Sequence, residues 1–319
     1  MKRHEKYIGC CFLFLLSCSV YSQKIRKPVL TKLPFAFSQL NRTPMENTPV
    51  NFNGRLLLVA NYRPGGAKAK GEDAYLYIDD LVNGEEIARF GKGYTFVSAF
   101  VSGSELHVFA LDFSDFGEVI KSKRITHFVS RDLKEWKEET AIEPAGDEAL
   151  FNTSVCKDDQ GYLMAYESNK PVQFCFKFAR SNDLKTWDKI PEIVFTGEHK
   201  EYSACPMIRF IKPYYYVIYL HAKVSGHNGW VSFMARSKNL ADWELGSYNP
   251  VLEAGEGEGK NNSDVDIIEY QGKTYLYYGI GDQETWSTIR VALYDGPMRE
   301  FYESYFPEGV KRIKVSARQ

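Results

Sequence analysis

Cysteine is sparse: six residues in 319, three of them (Cys10, Cys11 and Cys18) crowded into the first twenty positions. Cys156, Cys175 and Cys205 are widely spaced, so they offer neither a disulfide framework nor a zinc site of close cysteine pairs. All three sit in strand-like contexts and read as small buried hydrophobes. Charge of one sign is lacking too, since 40 Lys and Arg against 41 Asp and Glu leave a formal net charge of −1. That balance excludes the basic surface of a nucleic-acid binder and the acidic run of a solvating tail. No glycine-rich phosphate loop opens a helix; GEGEGK at 255–260 has the wrong context. No Gly-x-Ser-x-Gly elbow and no His-x-x-x-His pair occurs, so neither an elbow-type serine hydrolase nor a catalytic metal is expected, and no cofactor is implied. Beyond the amino terminus no apolar run approaches about 18 residues, so no membrane span is expected there. Nor does any segment show a convincing amphipathic-helix period.

What is abundant is aromatic: 21 Tyr, 21 Phe and 5 Trp. Aromatic and β-branched residues favour strands, which tilts the reading towards an all-β chain. The first 22 residues read as a secretory signal, with Lys2, Arg3 and Lys6 ahead of the apolar run YIGCCFLFLLSCSV. Cleavage after Ser22 leaves Gln23 first, giving a secreted or periplasmic protein. Leu15-Leu16-Ser17-Cys18 also resembles a lipobox, which makes Cys18 a candidate lipid anchor.

A repeat of about fifty residues organises the rest. SRDLKEW at 130–136, SNDLKTW at 181–187 and SKNLADW at 237–243 share the pattern Ser-x-[Asp/Asn]-Leu-x-x-Trp, each after an apolar strand-like run. Upstream lie paired strands joined by short turns, as at Asp158-Asp159-Gln160 and Lys212-Pro213. The same pairing recurs without the motif around Asn53-Gly54, Ser102-Gly103-Ser104 and Gln271-Gly272. Five units result, at roughly 44–92, 93–144, 145–197, 198–253 and 254–306, each reading as four strands. The expected architecture is an all-β, five-bladed β-propeller spanning 44–306, with an N-terminal lead-in at 23–43 and a C-terminal tail at 307–319. The lead-in is placed to pack across the blades or help close the ring.

The Ser-x-Asp-Leu-x-x-Trp turns, together with NSDVDIIEYQGKTYLYYGIGDQ at 262–283, resemble the five-bladed propeller glycosidases around glycoside hydrolase families 43, 32 and 117. The resemblance covers about 44–306 and rests mainly on structural motifs. It implies an exported glycoside hydrolase acting on an oligosaccharide or polysaccharide, exo-acting on a plant or algal glycan. A non-catalytic carbohydrate-binding propeller and a glycoside phosphorylase are the alternatives. One departure stands out: the first blade carries Glu46-Asn47-Thr48-Pro49 where family 43 has an Asp-Pro pair. The turns also lack the glycine of a sialidase Asp-box.

Blade topology narrows the candidate site. The start of the innermost strand and the end of the second share one face of a propeller, so polar residues at those two places can converge. Blade one offers Glu46, Asn47, Asn61 and Arg63, and blade two Ser98 and Asp112. Blade three offers Glu148, Asn152 and Glu167, and blade four Glu201, Tyr202, Ser203 and His221. Blade five offers Asp264, Asp266, Asp282 and Gln283. Glycoside hydrolysis needs one carboxyl to protonate the leaving oxygen and another to activate water or attack carbon. Glu167 is the expected acid and Glu46 or Asp264 the base, with Asp266 or His221 tuning the acid. Asn47, Arg63, Asp112, Asn152, Tyr202, His221, Asp266 and Gln283 are expected substrate contacts. Asp264 and Asp266 alternate with Val265 and should point to one side of their strand. Carboxyls drawn from blades one, three and five approach the axis from different sides, which favours inversion. Families 43 and 117 invert; family 32 retains. Trp230 and Trp286 fall outside the repeat and are candidate sugar platforms.

Overall fold

Turn chemistry fixes the hairpins from which the fold is built. The computed structural model describes residues 27–34, 44–64, 71–113, 124–198, 202–222, 224–227, 229–282 and 284–318. The expected signal at 1–22, including Cys18, lies outside them, as do Glu201 and Gln283. At Asn53-Gly54 both turn residues take positive φ, 51° and 79°, and at Gln271-Gly272 the values are 51° and 73°. That is the twist needed to join two antiparallel strands through two residues.

After a short β1 (Thr31–Lys32), blade one comprises β2 (Asn47–Phe52), β3 (Arg55–Tyr62), β4 (Tyr75–Asp80) and β5 (Glu86–Phe90). Blade two comprises β6 (Tyr94–Ser102), β7 (Glu105–Asp112), β8 (Ile125–Ser130) and β9 (Lys137–Ile142). Blade three holds β10 (Leu150–Asp158), β11 (Gly161–Ser168), β12 (Cys175–Ser181) and β13 (Asp188–Phe195). Blade four holds β14 (Ala204–Ile211), β15 (Tyr214–Ala222), β16 (Trp230–Ser237) and β17 (Asp242–Leu245). Blade five begins with β18 (Asn261–Tyr270), β19 (Lys273–Gly281) and β20 (Ser287–Tyr294). Every blade is an antiparallel meander, and the five sheets form the expected β-propeller.

The Ser…Trp motif is a turn that binds one blade to the one before it. Ser130 Oγ accepts from Leu133 N at 2.9 Å, and Asp132 Oδ1 from Lys134 N and Glu135 N at 2.9 and 3.0 Å. Asp183 and Asn239 do the same in their copies, which is why the position needs a short side-chain carbonyl. Each motif Leu completes the tight reversal with positive φ: 65°, 66° and 64° at Leu133, Leu184 and Leu240. The Trp then reaches back one blade. Trp136 stacks on Phe90 at 3.8 Å, Trp187 meets Phe109 edge-on at 5.8 Å, and Trp243 lies 5.0 Å from Phe195.

The two ends depart from the simple four-strand reading. Blade five takes its outermost strand from the lead-in, not from within 254–306: Thr31 pairs with Leu293 and Lys32 with Ala292. Lys32 Nζ meets the fully buried Glu258 at 2.5 Å, beside Arg290 at 2.7 Å, so an ion cluster clamps the closure. In place of a fourth strand from its own unit, Met298–Ser304 forms helix α1 and buries Phe301 and Tyr302. The expected tail is tied down as well. Lys314–Ser316 forms β21, a fifth strand on blade four, and Ala317 bridges back to Val194 of blade three. Burial of aromatic surface in α1 and of Ala317 outweighed the weak local strand signal of those segments.

Candidate active site

In blades two to five the innermost strand loses register at one depth, leaving two residues unpaired: Phe96-Val97, Phe151-Asn152, Cys205-Pro206 and Asp264-Val265. Phe96, Cys205 and Asp264 take positive φ, 55°, 49° and 52°. For a non-glycine residue this is a costly conformation, and such bulges re-aim a side chain out of the pleat. Strand β2 keeps its register from Asn47 onward, and blade one contributes Glu46 and Asn47. The mouth of the axis is thus divided. Blades two and three present Phe96 and Phe151; blades four, five and one present Cys205, Asp264 and Glu46.

The axial pocket has an empty volume of about 270 Å³, open mouth included, and is lined by Glu46, Asn47, Ser98, Asn152, Cys205, Asp264 and Asp266 among others, with Phe96 and Phe151 outside that lining. Its floor is the ring of Thr48, Ser98, Thr153 and Asp266. Ser98 and Thr153 share a 2.6 Å hydrogen bond, and Arg209 pairs with Asp266.

Glu46 and Asp264 line the pocket, and a third carboxyl, Glu167, lies behind the lining residues Asn152 and Cys205. Glu167, at the end of β11, stands directly behind Asn152 and Cys205 and is 2% exposed. Its Oε2 accepts both Asn152 Nδ2 at 3.0 Å and Cys205 N at 2.8 Å. Burial pushes its pKa up to about 8; those two donors oppose the rise, and the charges of Asp264 and Glu46 add to it. Asp264 is raised for the same reasons, burial first and then Glu46, against hydrogen bonds from Ser263 and from the Cys205 thiol. Glu46 is 3% exposed and lies 3.3 Å from the Arg63 guanidinium, its counter-charge. Glu46 Oε2 and Asn47 Oδ1 are buried without a hydrogen-bond partner, although Asn47 Nδ2 reaches Asp264 O across the ring closure at 3.0 Å. Buried acceptors left open at a pocket wall are ready-made contacts for hydroxyl groups.

The structure sorts the remaining candidates. Asn152 lines the pocket and holds Glu167. Arg63 backs Glu46 and lies over the Phe96 ring at 5.0 Å. Tyr202 meets the Phe174 ring at a tilt, centroids 4.8 Å apart, and the electrostatic influence of Glu167 and Asp264 reaches its hydroxyl. Asp264 and Asp266 do not share one strand face, because the bulge between Ser263 and Asp266 separates them. Asp264 faces the other carboxyls, whereas Asp266 is engaged by Arg209 and by Ile267 N at 2.6 Å. His221 is buried edge-on to Phe233 at 5.1 Å and is not among the residues lining the axial pocket. Asp112 ends β7 opposite Tyr94, again away from the lining. Glu148 is neutralised by Lys177 at 2.6 Å and Ser168 at 2.6 Å, which makes it a structural acid. Trp286 packs on the aromatic core between blades four and five, and Trp230 lies under Lys260 at 5.6 Å.

Sequence reasoning missed Cys205, Phe96 and Phe151. Cys205 is no inert filler, since its amide holds Glu167 and its sulfur accepts from Asn152, both at the pocket wall. One signal pointed to it: Pro206 follows directly, and proline within a strand is confined to edges and bulges, here a bulge. Phe96 and Phe151 carried no comparable sign. With Phe174 and Tyr202 they form a continuous aromatic wall, the Phe96–Phe151 and Phe151–Phe174 centroids each 5.7 Å apart.

No family model matches the chain, and comparison with curated proteins found no match. Solved structures do match. A glycosyl hydrolase from Bacteroides ovatus is 13% identical, covering 86% of this chain and 92% of its own, at TM-score 0.57. A thermostable family-43 glycoside hydrolase is 12% identical over 87% and 95%, at TM-score 0.62. CoXyl43, a family-43 β-xylosidase/α-arabinofuranosidase from a compost microbial metagenome solved with xylotriose in calcium-free form, is 15% identical over 83% and 94%, at TM-score 0.56. At such identities the likeness is one of fold: a five-bladed propeller of the kind found in glycoside hydrolases resembling family 43.

Proposed function

We propose that the chain is an exported glycoside hydrolase, exo-acting and inverting, that removes a terminal sugar from a plant or algal glycan. The observation that carries this reading is Glu167: a buried carboxyl raised to about 8, bonded to Asn152 and Cys205 in the wall of an axial pocket that two further carboxyls, Glu46 and Asp264, line. A general acid must hold its proton at neutral pH, and burial beside like charges is how a glutamic acid does so. Both donors to Glu167 fall on Oε2, which leaves Oε1 to carry the proton.

In the proposed step, Glu167 gives that proton to the glycosidic oxygen as its bond to the anomeric carbon breaks. Water attacks the same carbon from the opposite face and releases a proton to Glu46, whose Oε2 faces the pocket side without a partner. The charge of Asp264 adds to the raised pKa of Glu167, the tuning role assigned from sequence to Asp266 or His221. Placing the base on blade one and the acid on blade three leaves room for the water that inversion requires, roughly 6.5–9.5 Å between carboxyls. Arg209 pairs with Asp266 in the lining of the pocket. The named activities of the fold relatives and their xylotriose complex support a glycan substrate.

A panel of aryl glycosides tests the activity, and proton NMR of the first-formed sugar tests the stereochemistry. The expected product has the anomer opposite to the substrate's. A retained anomer removes the inverting mechanism, and sugar binding without turnover makes the propeller a carbohydrate-binding module instead. The basic start and apolar run of 1–22 support export; mass spectrometry of the mature protein should find Gln23 first, or a diacylated Cys18.

A further inference from the structure

We infer that Arg63 is a positioning residue: it keeps Glu46 ionised with one oxygen open, which sets Glu46 apart from the other two carboxyls in and behind the pocket lining. The catalytic meaning, a base ready to take a proton from water, rests on the hydrolase reading; the ion pair itself does not.

The acids at the axis are held in two different ways. Glu46 pairs with the Arg63 guanidinium at 3.3 Å, and Asp266 pairs with Arg209. Asp264 takes a hydrogen bond from Ser263, and Glu167 takes its two from Asn152 and Cys205. A full counter-charge is the stronger support for a buried carboxylate, because a buried acid without one lowers its free energy by keeping its proton. Arg63 meets Oε1 of Glu46, while Oε2 is buried without a hydrogen-bond partner. The pair thus holds the charge and leaves one acceptor open at the pocket wall.

Arg63 is itself boxed in. It is 6% exposed, its guanidinium lies 5.0 Å from the centroid of the Phe96 ring, and Met45 Sδ accepts from Nη2. Phe96 sits in the blade-two bulge at φ 55°, a conformation that a bulky residue keeps only where its surroundings hold it. A cation over the ring face is one such hold. A strained residue of blade two therefore steadies the cation of blade one that faces Glu46.

The other titratable groups facing Glu46 are Asp264 of blade five, Glu167 of blade three and Cys205 of blade four. A charge on Glu46 favours the protonated form of each. Arg63 also favours a charge on Asp264, so the two carboxyls have to be separated by experiment.

The test is urea denaturation of the wild type, Arg63→Met, Arg63→Lys and the double variant Glu46→Gln/Arg63→Met, between about pH 4 and 8. Methionine leaves Glu46 buried without its counter-charge, so the folded variant keeps a proton that the unfolded chain releases. Relative to the wild type, its stability should fall as pH rises above about 4.3, by up to about tenfold in the folding equilibrium constant per pH unit. Lysine keeps the charge and should restore most of the wild-type curve. The double variant has no charge at Glu46 to lose and should show no such slope. If Arg63→Met fails to fold at neutral pH, recovery of folding in acid and in the double variant reads the same coupling. A loss equal at every pH makes Arg63 a packing residue, and a slope that persists in the double variant gives Arg63 to Asp264; either result overturns the inference. The acid limb of the kcat/KM profile should move to higher pH in Arg63→Met and return in Arg63→Lys. The denaturation needs no turnover: the expected slopes in a protein that cleaves no glycoside keep the pairing and remove the hydrolase reading.

Discussion

Replacing Glu167 with Gln should make the protein nearly inactive and, at alkaline pH, more stable. The amide is close in shape to a protonated carboxyl, and its oxygen can accept the bonds that Asn152 Nδ2 and Cys205 N now give to Oε2. Folding should therefore survive, while proton donation is lost, which costs on the order of a hundredfold or more in turnover. The stability effect follows from linkage. Below pH 4.5 both the folded and the unfolded chain carry the proton on Glu167. Between 4.5 and about 8 the unfolded carboxyl has released it and the folded one has not. The unfolded state then binds fewer protons, so stability falls as pH rises through that window, by up to about 5 kcal/mol once both forms are ionised. The substituted glutamine cannot ionise and escapes that loss. Urea denaturation from about pH 4.5 to 9 should show the two proteins nearly equal at the acid end and the variant ahead by several kcal/mol at the alkaline end. Parallel stability curves, or a variant that retains full turnover, would refute the assignment of a buried, proton-holding acid.

Three further outcomes are expected. Trp243→Ala should destabilise by about 3–5 kcal/mol in urea denaturation, and more than Trp136→Ala, because Trp243 is 1% exposed while Trp136 is only partly buried. Lys32→Met should cost about 2–3 kcal/mol, since the fully buried Glu258 then keeps Arg290 as its nearest cation; thermal melts at low and high salt measure it. His107 is held down to about 4 by burial and then by the neighbouring His127, which lies 2.9 Å away with Glu139 beyond it. Its depressed value means stability present above pH 6.5 and lost as pH falls towards 4, about 2 kcal/mol after allowance for solvent screening, and His107→Leu should flatten that slope in acid denaturation.

The propeller was legible in the chain because its determinants are local. Asn53-Gly54 and Gln271-Gly272 encode their hairpins through positive φ, and the Ser…Trp motif encodes a turn whose bonds close within a few residues. Polar residues at strand ends could likewise be assigned to one face, since topology alone dictates which ends meet. That reasoning put Glu46, Glu167 and Asp264 on a common face, and the tertiary structure places them within electrostatic reach. Other features depended on partners distant in sequence. Thr31–Lys32 becomes a strand only against β20, some 260 residues away, and Lys314–Ser316 only against β17. His221, Asp112 and Glu167 all satisfied the strand-end rule and none lines the pocket, but Glu167 alone of the three is bonded to two lining residues, Asn152 and Cys205, which only the packing of neighbouring blades could decide. Cys205 and Asp264 face each other through matched bulges in adjacent blades, each at a φ that no local preference favours. The sequence by itself determined the blades and their turns; only the closed ring, by holding those bulges in register, decided which polar residues line one axial pocket.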